Sequence, residues 1–488
     1  MALTVYNFLT RSREEFKPIH EGFVGIYVCG PTIYDHAHVG HAKVYVSFDA
    51  IVRYLRYAGY KVRYVQNITD VGHLTDDADE GEDKILKRAA RDRVEPMELV
   101  ETYMRSYFED MDTLNVLRPN ISPRPSCHIT EQIELAQGLL ESGHAYEVNG
   151  SVYFDVASWP EYGKLSGRKV EEQEEGARVA FNPDKRHPAD FAVWKKAEKG
   201  HILRWPSPWG QGYPGWHAEC SVMATKYLGQ PFDIHGGGLE NIFPHNECEI
   251  AQSEAISDEP FCNYWLLNNM VTVEGVKMGK SLGNAIYLKD LFERYDPMTI
   301  RFFVLSSHYR SVTDFGEEAL AAAGRGLERL MGTVALVRDR LGQAEGDEVD
   351  AEWSGKLKEY RGRFEEAMDE DFNTARAIAT LFDLSRETNT LLNSGQSVSK
   401  ATLEATEALF GTLGNDVLGI RFDAKGMDGT GQDEAELLDG LVQMLIAVRE
   451  KARQARDWAK ADAIRDELLE MGISLEDGPQ GTRWRISR

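Results

Sequence analysis

The sequence has 488 residues, 42% hydrophobic and 27% charged, the composition of an ordinary globular chain with room for two to four domains. No apolar run reaches the length of a membrane span, and the first residues lack the basic-then-apolar pattern of a secretory leader, which points to a cytoplasmic protein without a membrane partner. A net charge of -24 excludes a uniformly basic, nucleic-acid-coating surface, though not a local basic patch, and five sparse cysteines exclude a disulfide framework and favour a reducing compartment.

In chain order, residues 25–30, Gly-Ile-Tyr-Val-Cys-Gly, read as a buried strand closed by glycine. From 41 to 58, Val44, Phe48, Ile51, Val52 and Leu55 recur at helical spacing, and Gly59 ends the run. Residues 61–68 alternate as a strand, which completes a strand–helix–strand unit of a parallel α/β sheet. Further strands are expected at 231–235, running into Gly236-Gly237-Gly238, and at 264–273. Residues 123–209, rich in Pro, Gly and charge, with an acidic run at 171–175, read as an insertion into that sheet. From about 317, amphipathic helices dominate, 364–392 among them. A Gly/Asp-rich linker at 422–433 leads to helices at 435–455 and 458–471, a capping Gly472, and a hairpin of 473–475 with 482–486. No internal repeat is present.

Two segments suit a nucleotide. His38-Val39-Gly40-His41 falls where a strand hands over to a helix, whose N-terminus offers N–H donors and a positive dipole end to phosphate. The imidazoles add donors, and Gly40 leaves space for a base or ribose. Without G-x-G-x-x-G a dinucleotide cofactor is disfavoured. Lys277-Met278-Gly279-Lys280-Ser281 places two lysines in a glycine-bearing loop, where they can meet a triphosphate. Read separately, these are equally an incidental histidine loop and a solvated basic turn. A third constellation, Cys29, Cys220, His245 and Glu249, offers two thiolates, an imidazole and a carboxylate, a plausible zinc set whose wide spacing also fits simple buried cysteines.

Together the histidine and lysine segments resemble the paired signatures of class I aminoacyl-tRNA synthetases, with Val39 and Gly279 in place of the commoner Ile and Ser. Cys29-Gly-x-Thr-x-Tyr-Asp35, Gly215-Trp-His-x-Glu-Cys220, His235-Gly-Gly-Gly238, Phe243-Pro-His-x-Glu-x-Glu249, Met368-Asp-Glu-Asp-Phe-Asn-Thr374 and Leu475-Glu-Asp-Gly-Pro-Gln-Gly481 narrow the resemblance to the cysteinyl-tRNA synthetase family. It extends from Val5 almost to Arg488. It implies a Rossmann-like catalytic domain over 1–316 carrying the insertion at about 123–209, a helical bundle over 317–424, and a small α+β anticodon-binding domain over 434–488. It implies that His38, His41, Lys277 and Lys280 are catalytic and, with Gly40, bind ATP. It implies one zinc ion on Cys29, Cys220, His245 and Glu249, with a place left for the substrate sulfur. Thr32, Thr69, Trp216 and His235 are implied to form the substrate pocket, and Arg453, Trp458, Asp462 and Asp477 to contact the anticodon. L-cysteine, ATP with Mg²⁺ and tRNA(Cys) are the implied partners of a monomer. Asn246 stands where the family usually has a second histidine, and Cys248, three residues from His245, competes on paper with Glu249 for the metal. A cysteine ligase acting on an amino sugar and a non-catalytic tRNA-binding paralogue are the rival readings.

Overall fold

The computed structural model describes residues 2–72, 83–168, 182–279, 283–422, 431–478 and 481–486. The chain folds as two compact units, Met1–Phe422 and Asp423–Arg488.

The first unit is built on a four-stranded parallel sheet. Its strands in chain order are β1 (Phe23–Val28), β2 (Lys61–Gln66), β3 (Phe232–Gly238) and β4 (Cys262–Asn268), lying side by side as β4-β3-β1-β2. β1 and β3 are neighbours although the chain leaves β1 toward β2 on one side and reaches β3 only later on the other. Their carboxyl ends therefore flank a switch point, where open α/β sheets form a crevice. Helix Val39–Tyr57 connects β1 to β2, and its apolar positions, among them Val46, Phe48, Ile51 and Leu55, are buried against the sheet. The close approach is permitted by Gly236, where a Cβ would stand 2.4 Å from the Phe48 ring.

The insertion region contains helix Ile129–Glu141 and a five-stranded antiparallel sheet that runs from Ala145–Val148 to Gly210–Pro214. The acidic run at 171–175 lies outside the described residues. The stretch expected as one strand at 264–273 is two: β4, and Val271–Val273 in a small separate sheet with Val276–Lys277 and Thr313–Phe315.

The helical region packs into the same core as the sheet, so it belongs to the first unit. The helix expected over 364–392 is broken. Ala351–Asp369 ends, Asp371 and Phe372 take φ of 58° and 54°, and Thr374–Leu392 restarts behind the Asn373 cap. Left-handed backbone at two residues with side chains is costly. The Asp371 carboxylate offsets it by accepting from Tyr6 N–H at 2.9 Å, Tyr309 Oη at 2.8 Å and Arg310 Nε at 2.7 Å. Arg301, fully buried on helix Pro297–Leu305, ties the layers together through Asp49, the Leu418 carbonyl at 2.8 Å and the Leu114 carbonyl at 2.9 Å.

The second unit pairs helices Gly431–Gln454 and Trp458–Glu470 with an antiparallel hairpin, Ile473–Gly478 and Gly481–Ile486. Gly472, at φ 81°, makes the turn out of the second helix. Val442, Ile446, Leu468 and Ile473 form its core.

Candidate metal centre and nucleotide site

Four segments meet at the switch point. Cys29 directly follows β1 and is fixed by its N–H to the Gly236 carbonyl at 2.9 Å. Cys220 lies in the first turns of helix Ala218–Leu228 and Glu249 in those of helix Glu247–Ser257. His245 sits in the irregular stretch that joins β3 to the second of these helices. One ligand atom from each of Cys29, Cys220, His245 and Glu249 lies within 4.8 Å of all the others, and every one of these residues is buried. The thiols are 4.0 Å apart, Cys29 Sγ is 3.8 Å from Glu249 Oε1, and His245 Nε2 is 3.1 Å from the same oxygen.

Cys248 is not part of this group. Beyond Phe243 the backbone is helical, so His245 and Glu249, four residues apart, meet on one face as their spacing implies. Cys248 Sγ instead lies 3.6 Å from the Tyr162 hydroxyl, within the apolar cluster behind the site. Asn246 turns inward: its amide donates to Glu249 Oε1 at 2.9 Å and points at Cys29 Sγ at 3.8 Å.

The donors suit a divalent cation. Burial, and then Cys29 beside it, push the Cys220 thiol well above the usual cysteine range. Burial also pushes Glu249 upward, but His235 and His245 outweigh it, and the carboxyl lies below its ordinary value. Two thiols and a carboxylate removed from water cannot all ionise without a compensating positive charge, which a metal ion on these atoms provides. Two sulfurs, one imidazole and one carboxylate are zinc's preferred donor types.

The expected pocket residues fall around this group. Trp216 stacks on the His245 ring, with centroids 4.3 Å apart and planes 27° apart. Thr32 and Thr69 pair across the crevice mouth through Ile33 N–H to the Thr69 carbonyl and Thr69 N–H to the Pro31 carbonyl, both 3.1 Å. His235 is placed differently from a pocket wall. It is fully buried, stacked on Trp265, and its Nε2 lies 2.7 Å from Glu249 Oε2, behind the carboxylate. This contact holds the Glu249 carboxylate in place from the side away from the thiols. Sequence reasoning missed two other supports. Glu219, fully buried, accepts the Thr69 hydroxyl at 2.9 Å, and Asn67 donates to that hydroxyl at 3.0 Å while accepting the Gly30 N–H at 2.7 Å. A Cβ on Gly30 would stand 1.6 Å from the Asn67 carbonyl oxygen, which explains the glycine after Cys29. The only signal for Glu219 was its place inside the Trp216–Cys220 motif.

At the start of helix Val39–Tyr57, His38 and His41 stack with ring centroids 3.9 Å apart, and His38 N–H donates to His41 Nδ1 at 3.2 Å. Gly40 leaves room for His38 itself and for Met278: a Cβ there would come within 3.0 Å of the His38 ring and 3.1 Å of Met278 Cε. The lysine loop is thus laid against the histidine motif. Lys277 is exposed, and Asn284 clips the loop by accepting Gly279 N–H at 2.9 Å and donating to the Lys277 carbonyl at 3.2 Å. Lys280 lies outside the described residues.

In the second unit Arg453, Asp462 and Trp458 are exposed, the tryptophan by 57% of its surface, so it is no part of the small core. Arg449 of the same basic stretch is buried. The Asp477 side chain lies outside the described residues.

This arrangement has close counterparts. Residues 15–325 match the tRNA synthetases class I (C) catalytic domain, 363–423 the DALR domain, and 436–485 the cysteinyl-tRNA ligase anticodon binding domain. The chain is 53% identical over 492 residues to a cysteine–tRNA ligase of Chlorobium luteolum, with all of both chains covered. It is 51% identical to that of Deinococcus radiodurans, covering 99% of this chain and 96% of the relative. The chain belongs to the cysteine–tRNA ligase family. Its fold is that of other class I synthetases. Mycobacterium tuberculosis methionyl-tRNA synthetase with methionyl-adenylate superposes with a TM-score of 0.60 at 16% identity, over 81% of this chain and 92% of that one. An Agrobacterium radiobacter LeuRS in complex with tRNA and LeuAMS gives 0.60 at 13% identity, over 83% and 85%. Among the described residues no helix is long and apolar enough to cross a membrane.

Proposed function

We propose that this chain activates L-cysteine with ATP and transfers it to tRNA(Cys), acting as a cytoplasmic monomer. The observation that carries this reading is the buried Cys29–Cys220–His245–Glu249 group at the mouth of the β1/β3 crevice. Serine differs from cysteine by one atom, and pocket shape alone rejects so close an isostere poorly. Zinc on these four residues supplies a soft Lewis acid that prefers thiolate to hydroxyl.

The remaining chemistry falls to the chain's own groups. Trp216 walls the bound amino acid, and Thr32 and Thr69 line the crevice beside it. The cysteine carboxylate then attacks the α-phosphate of ATP, giving cysteinyl-adenylate and pyrophosphate. His38 and His41, at a helix N-terminus, donate to phosphate oxygens, and Gly40 lets the His38 ring and Met278 lie close over the helix start. Lys277 and Lys280 neutralise charge on the departing pyrophosphate, to which Mg²⁺ would add further charge stabilisation. The terminal ribose hydroxyl of the tRNA next takes the cysteinyl group. No side-chain nucleophile is needed, since positioning and charge stabilisation supply the rate. At the other end of the chain, exposed Trp458 offers a stacking face for an anticodon base, and Arg453, Asp462 and Asp477 offer hydrogen bonds to base edges. The full-length match to relatives named cysteine–tRNA ligase supports the overall reaction.

The test is ATP–pyrophosphate exchange followed by tRNA charging. Exchange is expected with cysteine and not with serine, in protein that carries one zinc per chain and loses activity on chelation. Folded, metal-free protein that activates serine as readily as cysteine overturns the reading.

A further inference from the structure

Lys43 lies two residues beyond His41 on the same helix, only 1% exposed. A buried ammonium is costly unless its protons are well received. Among the described residues no carboxylate lies within ion-pair reach. Nζ donates instead to two main-chain carbonyls, Met270 at 3.3 Å and Ser311 more closely. Burial pulls the Lys43 pKa down to about 8, against a weaker upward pull from Glu240, so the group is held at a cost.

Those two carbonyls are not arbitrary. Met270 immediately precedes Val271–Val273, and Ser311 stands just before Thr313–Phe315, the two parallel strands of the small sheet. From Val271–Val273 the chain folds straight back as Val276–Lys277, with Thr272 opposite Lys277 and Met278 N–H on the Val271 carbonyl at 3.2 Å. One ammonium therefore grips the base of the platform that presents Lys277. The far end of the lysine loop is fastened to the same helix start: Val39 N–H donates to the Ile286 carbonyl at 3.0 Å, Leu288 N–H to the Ala37 carbonyl at 2.9 Å, and Tyr287 Oη to Asp35 Oδ2 at 2.9 Å. From outside, Asn269 holds the turn before Ser311, with its N–H on the Tyr309 carbonyl and its Nδ2 on the Arg310 carbonyl, both 2.9 Å. Asp371 holds Tyr309 and Arg310 of that same turn.

We infer that Lys43 is a positioning residue for adenylate formation: it clasps the lysine-loop platform to the helix that begins with the histidine motif, and so sets Lys277 in register with His38 and His41. This rests on the functional reading above and adds a residue that reading does not use. Were Lys43 mere filling, an apolar side chain of similar length would serve as well or better, because a buried charge is weak support for stability.

The experiment uses the full-length, zinc-bearing chain with Lys43→Met and Lys43→Arg, in cysteine-dependent ATP–pyrophosphate exchange. In K43M the exchange kcat is expected to fall about a hundredfold, the penalty for slight misplacement of groups around a reacting centre. KM for cysteine and zinc content should stay at the parental values, because the metal group lies on other segments. K43R, whose guanidinium has donors enough for both carbonyls, should recover most of the rate. Should K43M not fold, Asn269→Ala loosens the same turn from its surface side and should show the same split between kcat and KM for cysteine. The inference is overturned if K43M is as fast as the parent, if K43R is as slow as K43M, or if the lost rate tracks lost zinc. A parental chain without cysteine-dependent exchange sinks the functional reading, and the clasp with it. An active parent matched by K43M sinks the clasp alone.

Discussion

Adjacent in sequence, Cys248 and Glu249 have opposite surroundings. The thiol faces Tyr162 in the apolar cluster, while the carboxylate meets Cys29, His245, His235 and Asn246. Cys248→Ser is therefore expected to keep one zinc per chain through extensive dialysis, as metal analysis would show. Glu249→Gln replaces an anionic donor by a neutral amide and should lose the ion. Zinc loss from C248S would transfer the ligand role to the thiol. The ligand types were legible in the sequence because the motifs hold them. That Glu249 shares the face of His245 also followed from their spacing, whereas the Tyr162 hydroxyl beside Cys248 comes from a distant segment that nothing local marks. The place of His235 was hidden for a related reason: its partner Glu249 reaches it through the fold, and nothing local marks the pair.

Among the elements, helix Pro96–Thr113 buries a carboxylate with little support. Asp110 is 3% exposed, and its Oδ2 finds no hydrogen-bond partner among the described residues. Burial raises its pKa from 3.8 to about 6, with Lys289 pulling weakly the other way. The folded chain thus holds this proton more tightly than the unfolded one, so the group's contribution to stability falls as pH rises from about 4 to about 6, and is level above that. Asp110→Asn removes the cost. Above about pH 6 the variant should exceed the parent by about 1–2 kcal/mol after solvent screening, and the advantage should fade as pH approaches 4. Thermal unfolding across that range checks it, and an equal gain at all pH values would contradict it. The elements themselves were largely legible where periodicity is local: β1, helix Val39–Tyr57, β2 and the final hairpin all lie close to the segments expected from side-chain pattern. The break at Asp371 and Phe372 escaped because a helical repeat continues across it on paper. Contacts from Thr4, Tyr6, His308, Tyr309 and Arg310, far away in sequence, support the left-handed backbone there.

For the molecule as a whole, a net charge of -24 means that RNA must be met at particular places. The second unit has its own core and keeps Arg453 and Trp458 exposed, and the metal group and histidine motif lie wholly in the first. A chain ending at Phe422 should therefore retain cysteine-dependent exchange, while its tRNA charging efficiency falls on the order of a hundredfold through lost base stacking and hydrogen bonds. Equal charging by the shortened chain would remove residues 423–488 from RNA recognition.

The four donors of this group also impose an order on synthesis. Cys29 and Glu249 are 220 positions apart, and the antiparallel sheet from Ala145 to Pro214 is threaded between them. A growing polypeptide possesses half the thiol pair almost at once, yet it has no complete donor set until Glu249 has cleared the ribosomal tunnel. For 220 of the 488 positions Cys29 consequently waits for its last companion, with the whole intervening sheet made in the interval.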